Sequence, residues 1–505
     1  MDTLEQDARE VLRLVRSVKN TFAPINQIPQ EVFSLIPGYR DTEEALVALT
    51  HVCRGWREQL ISCSSLWTSL DCASVDQTRV YLERSKASPL DICIGGDERA
   101  PFLHDAFLLT LPHRDRLKSL SITTLPNDLA ELIKHLLHCH APVLEKLRIH
   151  SFPRDSQTIQ AAIFDGDLSS LRGLDLSGVF MDLPRKSLSN LTTFDFLNVP
   201  LHKRSVTRLL NFFGQAPVLR KITLYNAFPD TSDAAQGRIV SLPHLKLLHI
   251  TDRPAHSILL NHLLIPPGAS LILEFGGDGE TPLSACLPRT SSNLGNLSHI
   301  TSINLRCWPK MSIRLNGLNG GLYMRDHHCI NVTASPFVGG RVFRPLDHFS
   351  ISATKRLTVA HYNTPPPPEI EKSSICQTLL LINSLRTLTL LGCLNLPFIF
   401  ALNPVRIPSK AVVCPELEEL VLYIKTRDRF CIDELLEMVK ERDSRGAKLS
   451  TITIVCMQEF VPAREVDKLR GHVSSVEYRL DDVTPRWDYI PGSVDATGYE
   501  TDDDW

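Results

Sequence analysis

Leu117-Lys118-Ser119-Leu120-Ser121-Ile122 places aliphatic side chains at relative positions 1, 4 and 6, with polar residues between them. The same spacing returns as Leu144-Leu147-Ile149, Leu171-Leu174-Leu176, Leu191-Phe194-Phe196, Leu219-Ile222-Leu224 and Leu245-Leu248-Ile250. The first positions, 117, 144, 171, 191, 219 and 245, differ by 27, 27, 20, 28 and 26. Apolar residues two apart mark a half-buried strand, and an interval of this size leaves room for one strand and one connecting segment per repeat. Ile300-Ile303-Leu305, Leu385-Leu388-Leu390, Leu417-Leu420-Leu422, Leu449-Ile452-Ile454 and Val473-Val476-Tyr478 carry the pattern toward the C-terminus.

Between the triplets, 129–137, 206–213, 258–264, 370–381 and 432–439 have helical periodicity. Proline often precedes the strand, as in Ala141-Pro142-Val143-Leu144, Ala216-Pro217-Val218-Leu219, Leu242-Pro243-His244-Leu245 and Cys414-Pro415-Glu416-Leu417. The expected class is α/β, and the period is similar to that of leucine-rich repeats. We therefore expect an irregular leucine-rich-repeat-like solenoid of parallel strands alternating with helices over 73–480. Strand-like Leu66–Leu70 and Leu90–Ile94, with a helical Val75–Lys86 between them, extend it backward: Leu66, Leu90 and Leu117 are 24 and 27 apart. Gly276–Asn296, rich in Gly, Ser, Thr and Pro, and Gly-rich Trp308–Arg344 interrupt it and read as loops. Pro365–Pro368 reads as a stiff insertion.

Working outward to the N-terminus, residues 1–24 form an amphipathic helix in which Leu4, Ala8, Val11, Leu12, Val15 and Val18 recur at helical spacing before Pro24. Such a face predicts packing on the module that follows, with partner binding as the alternative. A second helix start lies at Pro29, with Glu31 in its first turn and Val32, Phe33, Leu35 and Ile36 as apolar surface, stopped by Pro37-Gly38. Leu46, Leu49, Val52, Trp56 and Leu60, at spacings of 3, 3, 4 and 4, predict one continuous helical stripe, with Gly55 marking a junction.

Pro29 and Glu31 before an aliphatic pair, then Val52-Cys53-Arg54-Gly55-Trp56-Arg57, then Leu66-Trp67, follow the order of an F-box, and residues 25–72 resemble that domain. Gly38–Glu44 departs from it, being longer and more polar than the family's usual link. Combined with the repeats, the chain is similar to the large group of F-box proteins found in fungi. The resemblance implies a substrate-receptor subunit of a Skp-cullin-F-box type ubiquitin ligase. The Skp-type adaptor, and through it a cullin, would bind the F-box, and an unknown target protein would bind the solenoid. By position, Ile28, Pro29, Val32 and Ile36 would form the first adaptor-facing surface, Leu49, Val52, Cys53 and Trp56 the second, and Leu66 and Trp67 the last contacts. The alternative is a non-catalytic interaction scaffold whose F-box assembles no ligase, which the long link motivates.

Composition agrees with a folded protein that brings no cofactor. The 505 residues are 43% hydrophobic and 22% charged, with a net charge of −3 that implies no broad attraction to nucleic acid or anionic membrane. No run approaches the ~18 apolar residues of a membrane span. The start of the chain lacks a secretory pattern, so cytoplasmic and/or nuclear localisation is expected, and the three N-glycosylation sequons read as chance matches. The 13 cysteines include no Cys-x-x-Cys and read as reduced thiols. His135, His138, Cys139 and His140 cluster on a predicted helix but offer too few ligands for a closed zinc site. Asp326-His327-His328-Cys329 resembles the tetrapeptide of protein S-acyltransferases, without the membrane spans and cysteine-rich segment those enzymes need. We expect no catalytic, metal or cofactor residue, and an acidic mobile tail over 481–505, ending in Trp505.

Overall fold

The computed structural model describes residues 2–480 apart from 34, 36–42, 73, 96–102, 125, 137–139, 152–158, 162–167, 182–187, 199–200, 227–228, 231–237, 252–255, 276–286, 289–290, 307–311, 318–319, 327–345, 347–348, 362–371, 393–394, 408–411, 425–430 and 457–462. Ile36, most of the Gly38–Glu44 link, His138, Cys139, His327, His328, Cys329, Pro365–Pro368 and the tail thus lie outside the described residues. The chain divides into two compact units, Met1–Leu191 and Thr192–Trp505.

In the first unit, helices Asp2–Thr21, Gln30–Phe33, Glu43–Leu49 and Arg54–Ser62 precede any strand. Strands Ser69–Leu70, Leu90–Gly95, Leu117–Thr124, Lys146–Ser151 and Gly173–Ser177 then pair in parallel in that order. Parallel neighbours require a crossover, and helices Val75–Ser85, Leu103–Thr110 and Pro126–Leu136 supply the first three. The triplet periodicity becomes two ladders, Ile92-Leu120-Leu147-Leu174 and Ile94-Ile122-Ile149-Leu176. None of these eight side chains is more than 4% exposed, and each such burial stabilises the fold by roughly 1.5–3 kcal/mol. Position 1 of the triplet is buried as well, and its backbone also closes a turn. The Leu144 N–H donates to the Ala141 carbonyl at 3.1 Å, closing a tight turn whose second residue is Pro142, where a fixed φ favours the bend.

The second unit repeats this construction. Leu219, Leu245 and Leu417 donate back to Ala216, Leu242 and Cys414 over Pro217, Pro243 and Pro415. Strands Thr193–Leu197, Lys221–Tyr225, Leu247–Thr251 and Ser270–Phe275 run parallel. The next strand in space is then Gly321–Asp326. Ser302–Arg306, Ser312–Asn316 and Gly321–Asp326 form an antiparallel meander laid down in reverse order. Ser302–Arg306 is therefore the one that meets Arg356–His361, from which Thr387–Gly392, Glu419–Ile424, Thr451–Cys456 and Ser475–Leu480 continue in parallel.

That meander corrects two expectations. Ser312–Asn316 and Gly321–Asp326 are strands rather than loop, and Ser312–Asn316 breaks the purely parallel order. Ile313 and Leu315, then Leu322 and Met324, alternate with polar residues, and all four are buried. The glycines mark its tight end. Gly317 N–H donates to the Gly320 carbonyl at 2.8 Å, and a Cβ on Gly320 would collide with the Ala269 carbonyl. A Gly-rich segment here signals close backbone approach, not irregularity.

Other differences are local. The helix expected over 258–264 spans only His256–Leu260, and Leu263–Leu264 is a strand. Leu66 and Trp67 lie in the 3-10 turn Ser64–Trp67, leaving Ser69–Leu70 as the strand. Helix Asn395–Leu402 carried no signal, because its residues are apolar nearly all round and give no 3.6-residue period. The Asp2–Thr21 helix forms, but the expected packing of its apolar face is contradicted: Leu4, Val11, Val15 and Val18 are all more than half exposed.

Candidate functional site

The N-terminal helical region owes its geometry to one break. The continuous stripe expected from Leu46 to Leu60 is two helices, Glu43–Leu49 and Arg54–Ser62, and the junction is at Thr50–Cys53 rather than Gly55. Cys53 stands in extended conformation (φ −157°, ψ 169°) as the N-cap of the second helix, and its Sγ accepts the Trp56 N–H at 3.5 Å. Gly55 sits in the first turn, before a full helical interior exists to be weakened. Arg57 closes the break: its Nε donates to the Thr50 carbonyl at 3.0 Å and its Nη2 lies 3.1 Å from His51 Nδ1. The segment Val52-Cys53-Arg54-Gly55-Trp56-Arg57 thus contains a cap, a ring and a staple, and the staple carried no signal beyond its place in the pattern.

Trp56 is half-buried, and its Nε1 donates to Asn26 Oδ1 at 2.5 Å, tying the second helix to the turn Pro24–Gln27. Cys53, Leu49, Ile28 and Leu66 are likewise half-buried, and Pro29 is exposed. Val32, Val52 and Leu35 are half or more exposed, and Val47 somewhat less. An exposed valine or leucine leaves ~2 kcal/mol of burial unrealised, so these side chains offer apolar surface to another molecule. Ile36 falls outside the described residues.

Trp67 is different. It is fully buried. Its Nε1 donates to the Leu60 carbonyl at 2.9 Å, its ring meets Tyr81 edge-on at 5.0 Å, and the Arg84 guanidinium lies 4.3 Å over it. The indole faces the chain's own Val75–Ser85 helix and presents no surface of its own. Two residues on, Ser69–Leu70 pairs with Asp91–Ile92, so the helical region passes into the first strand through a packed joint. Further along, Arg116 holds the end of the Val75–Ser85 helix, reaching the Ser85 hydroxyl and Ser88 carbonyl, each at 3.0 Å. Burial pulls its guanidinium below the usual arginine range, Asp115 opposing. Only long-range contacts reveal this role.

Of the remaining sequence candidates, His138, Cys139, His327, His328 and Cys329 lie outside the described residues. Asp326 ends a strand, and the rest of its tetrapeptide lies outside the described residues. The exposed His135 ring lies 5.4 Å from His104. Among the described residues, no three His, Cys, Asp or Glu gather as metal ligands, and no helix is long and apolar enough to cross a membrane.

No curated protein is similar enough to the chain to match it. The family model that matches is that of F-box-like domains, over residues 25–73, the helical region with its Trp56 tether and buried Trp67; the chain carries an F-box-like domain there.

Proposed function

We propose that the protein is a substrate-receptor subunit of a Skp-cullin-F-box type ubiquitin ligase. The F-box-like match over 25–73 carries the reading, and the exposed Val32, Leu35 and Val52 within it support the reading as apolar surface for a Skp-type adaptor. The strand repeats, of leucine-rich-repeat-like character, would hold the target protein. The chain itself would do no covalent chemistry. Its contribution would be to raise the effective concentration of target lysines near the transferring enzyme, and a packed joint at Trp67 suits that purpose better than a flexible linker.

The test is affinity capture from cells with full-length protein. Wild type is expected to co-purify a Skp-type adaptor and a cullin. Val32→Asp/Val52→Asp places charge on side chains that are already at least half exposed, so it should keep the fold and lose both partners. Wild type without the adaptor sinks the ligase reading and leaves an interaction scaffold. Acylation of Cys329 in the purified protein by an acyl donor would instead revive an enzyme.

A further inference from the structure

The helix Asp2–Thr21 holds its apolar residues in the open. Leu4, Val11, Val15 and Val18 are 75, 58, 60 and 58% exposed. With Ala8 they are spaced 4, 3, 4 and 3 residues apart, which is the alternating seam of a coiled coil and narrower than the stripe of a helix that packs on a globular core. Leu12 and Leu14, also more than half exposed, flank the seam and widen it. A face of this kind is built for another helix.

Charge says which helix. Residues 2–10 carry Asp2, Glu5, Asp7 and Glu10 against Arg9, a net of −3, while residues 11–21 carry Arg13, Arg16 and Lys19, a net of +3. The helix dipole favours this polarity only within the first and last turns, whereas Asp7, Glu10 and Arg13 lie further in. Two copies side by side in parallel would set like charge on like. Two copies head to tail set −3 against +3. The seam fits that arrangement: about a centre near Arg13, Val11 meets the partner's Val15, Ala8 meets the partner's Val18, and Glu5 flanks the partner's Lys19. Within one chain Glu5 pairs with Arg9, at 2.5 Å between largely exposed side chains, a contact weak enough to be shared or replaced. The helix as a whole is neutral, which disfavours an anionic membrane surface as the occupant.

We infer that the Asp2–Thr21 helix pairs antiparallel with the same helix of a second copy, making the protein a homodimer. At 1.5 Å per residue the helix is about 30 Å long, so its antiparallel partner would hold the two F-box-like domains about that far apart, at opposite ends of the pair. The inference does not rest on adaptor binding.

Sedimentation velocity on the full chain across a micromolar concentration series tests it. The expected mass rises from 56.7 kDa toward twice that value. Val11→Asp/Val15→Asp should remain monomeric with unchanged adaptor capture, so the dimer and the docking reading fail separately. Glu5→Lys and Lys19→Glu should each weaken the dimer at least tenfold, and the two together should restore it. That rescue belongs to the antiparallel arrangement alone, because in a parallel pair Glu5 and Lys19 never meet. Wild type that stays monomeric throughout, a dimer indifferent to Val11→Asp/Val15→Asp, or a double charge swap that fails to rescue overturns the inference. Should the aspartate variant misfold, the charge swaps decide it alone.

Discussion

Replacing Trp67 separates a residue that would touch an adaptor from one that holds the F-box-like region to the strands that follow it. The family resemblance implies the first; complete burial, with Tyr81 and Arg84 on the ring, implies the second. Trp67→Phe removes the Nε1–H that donates to the Leu60 carbonyl, a net loss of ~1 kcal/mol, because that carbonyl keeps the Cys63 N–H at 3.3 Å. The smaller ring forfeits about another 1 kcal/mol of packing. The sum, roughly 2 kcal/mol, should speed amide exchange in the Val75–Ser85 helix and the Leu90–Gly95 strand by about 30-fold. Trp67→Ala should cost about 4 kcal/mol in the same elements. Hydrogen exchange is the right assay, since a chain of two units need not unfold in a single transition. Adaptor affinity, measured where the variant is fully folded, should be unchanged for Trp67→Phe. Unaltered exchange in both variants together with weakened adaptor binding would refute the argument.

Three further outcomes follow from the packing. Arg442 is fully buried and donates to the carbonyls of Val413 and Cys414 at 2.6 and 2.8 Å; Arg442→Met removes a charged donor from each, the Cys414 carbonyl keeping the Leu417 N–H at 3.1 Å, and should destabilise the Ile432–Ser444 helix region by about 2 kcal/mol, read as lost exchange protection. Burial pushes the Cys414 thiol up to about 12, with Arg442 opposing, so it should resist alkylation at pH 8 in the native protein and react only after denaturation. Burial pushes the Asp175 carboxyl up, but hydrogen bonds and charge from His150 and Arg148 more than offset this and hold it below its ordinary 3.8. Because the folded value is the lower one, the stability it contributes is complete above 3.8 and is lost as pH falls through the folded value. The deficit of Asp175→Asn relative to wild type should therefore be full near neutral pH and should vanish in strong acid.

The legible parts of the fold were those governed by local spacing. Leu120, Leu147 and Leu174 stand in adjacent register because each repeat delivers the same 4-and-6 pair to the same face, and the turns before four of the strands were announced by Pro142, Pro217, Pro243 and Pro415. The F-box-like region was legible from the order of Pro29, Cys53, Trp56 and Trp67. Less was visible where the pattern is mute. Apolar residues all round Asn395–Leu402 lack a period. The cap made by Cys53 breaks a stripe that spacing alone runs straight through.

The sequence by itself determined which residues alternate, where the triplet-bearing strands lie and which face of the first helix is apolar, since these depend on neighbours within a few positions. Tertiary structure alone decided which strands meet. Period-two alternation specifies a face but neither a partner nor a direction, so the reversal that puts Gly321–Asp326 beside Ser270–Phe275 was invisible until the backbones were paired. It also decided that Val52 faces outward while Trp67 faces inward. Both are apolar residues of one short pattern, and only the Val75–Ser85 helix, closing over the indole from further along the chain, tells them apart.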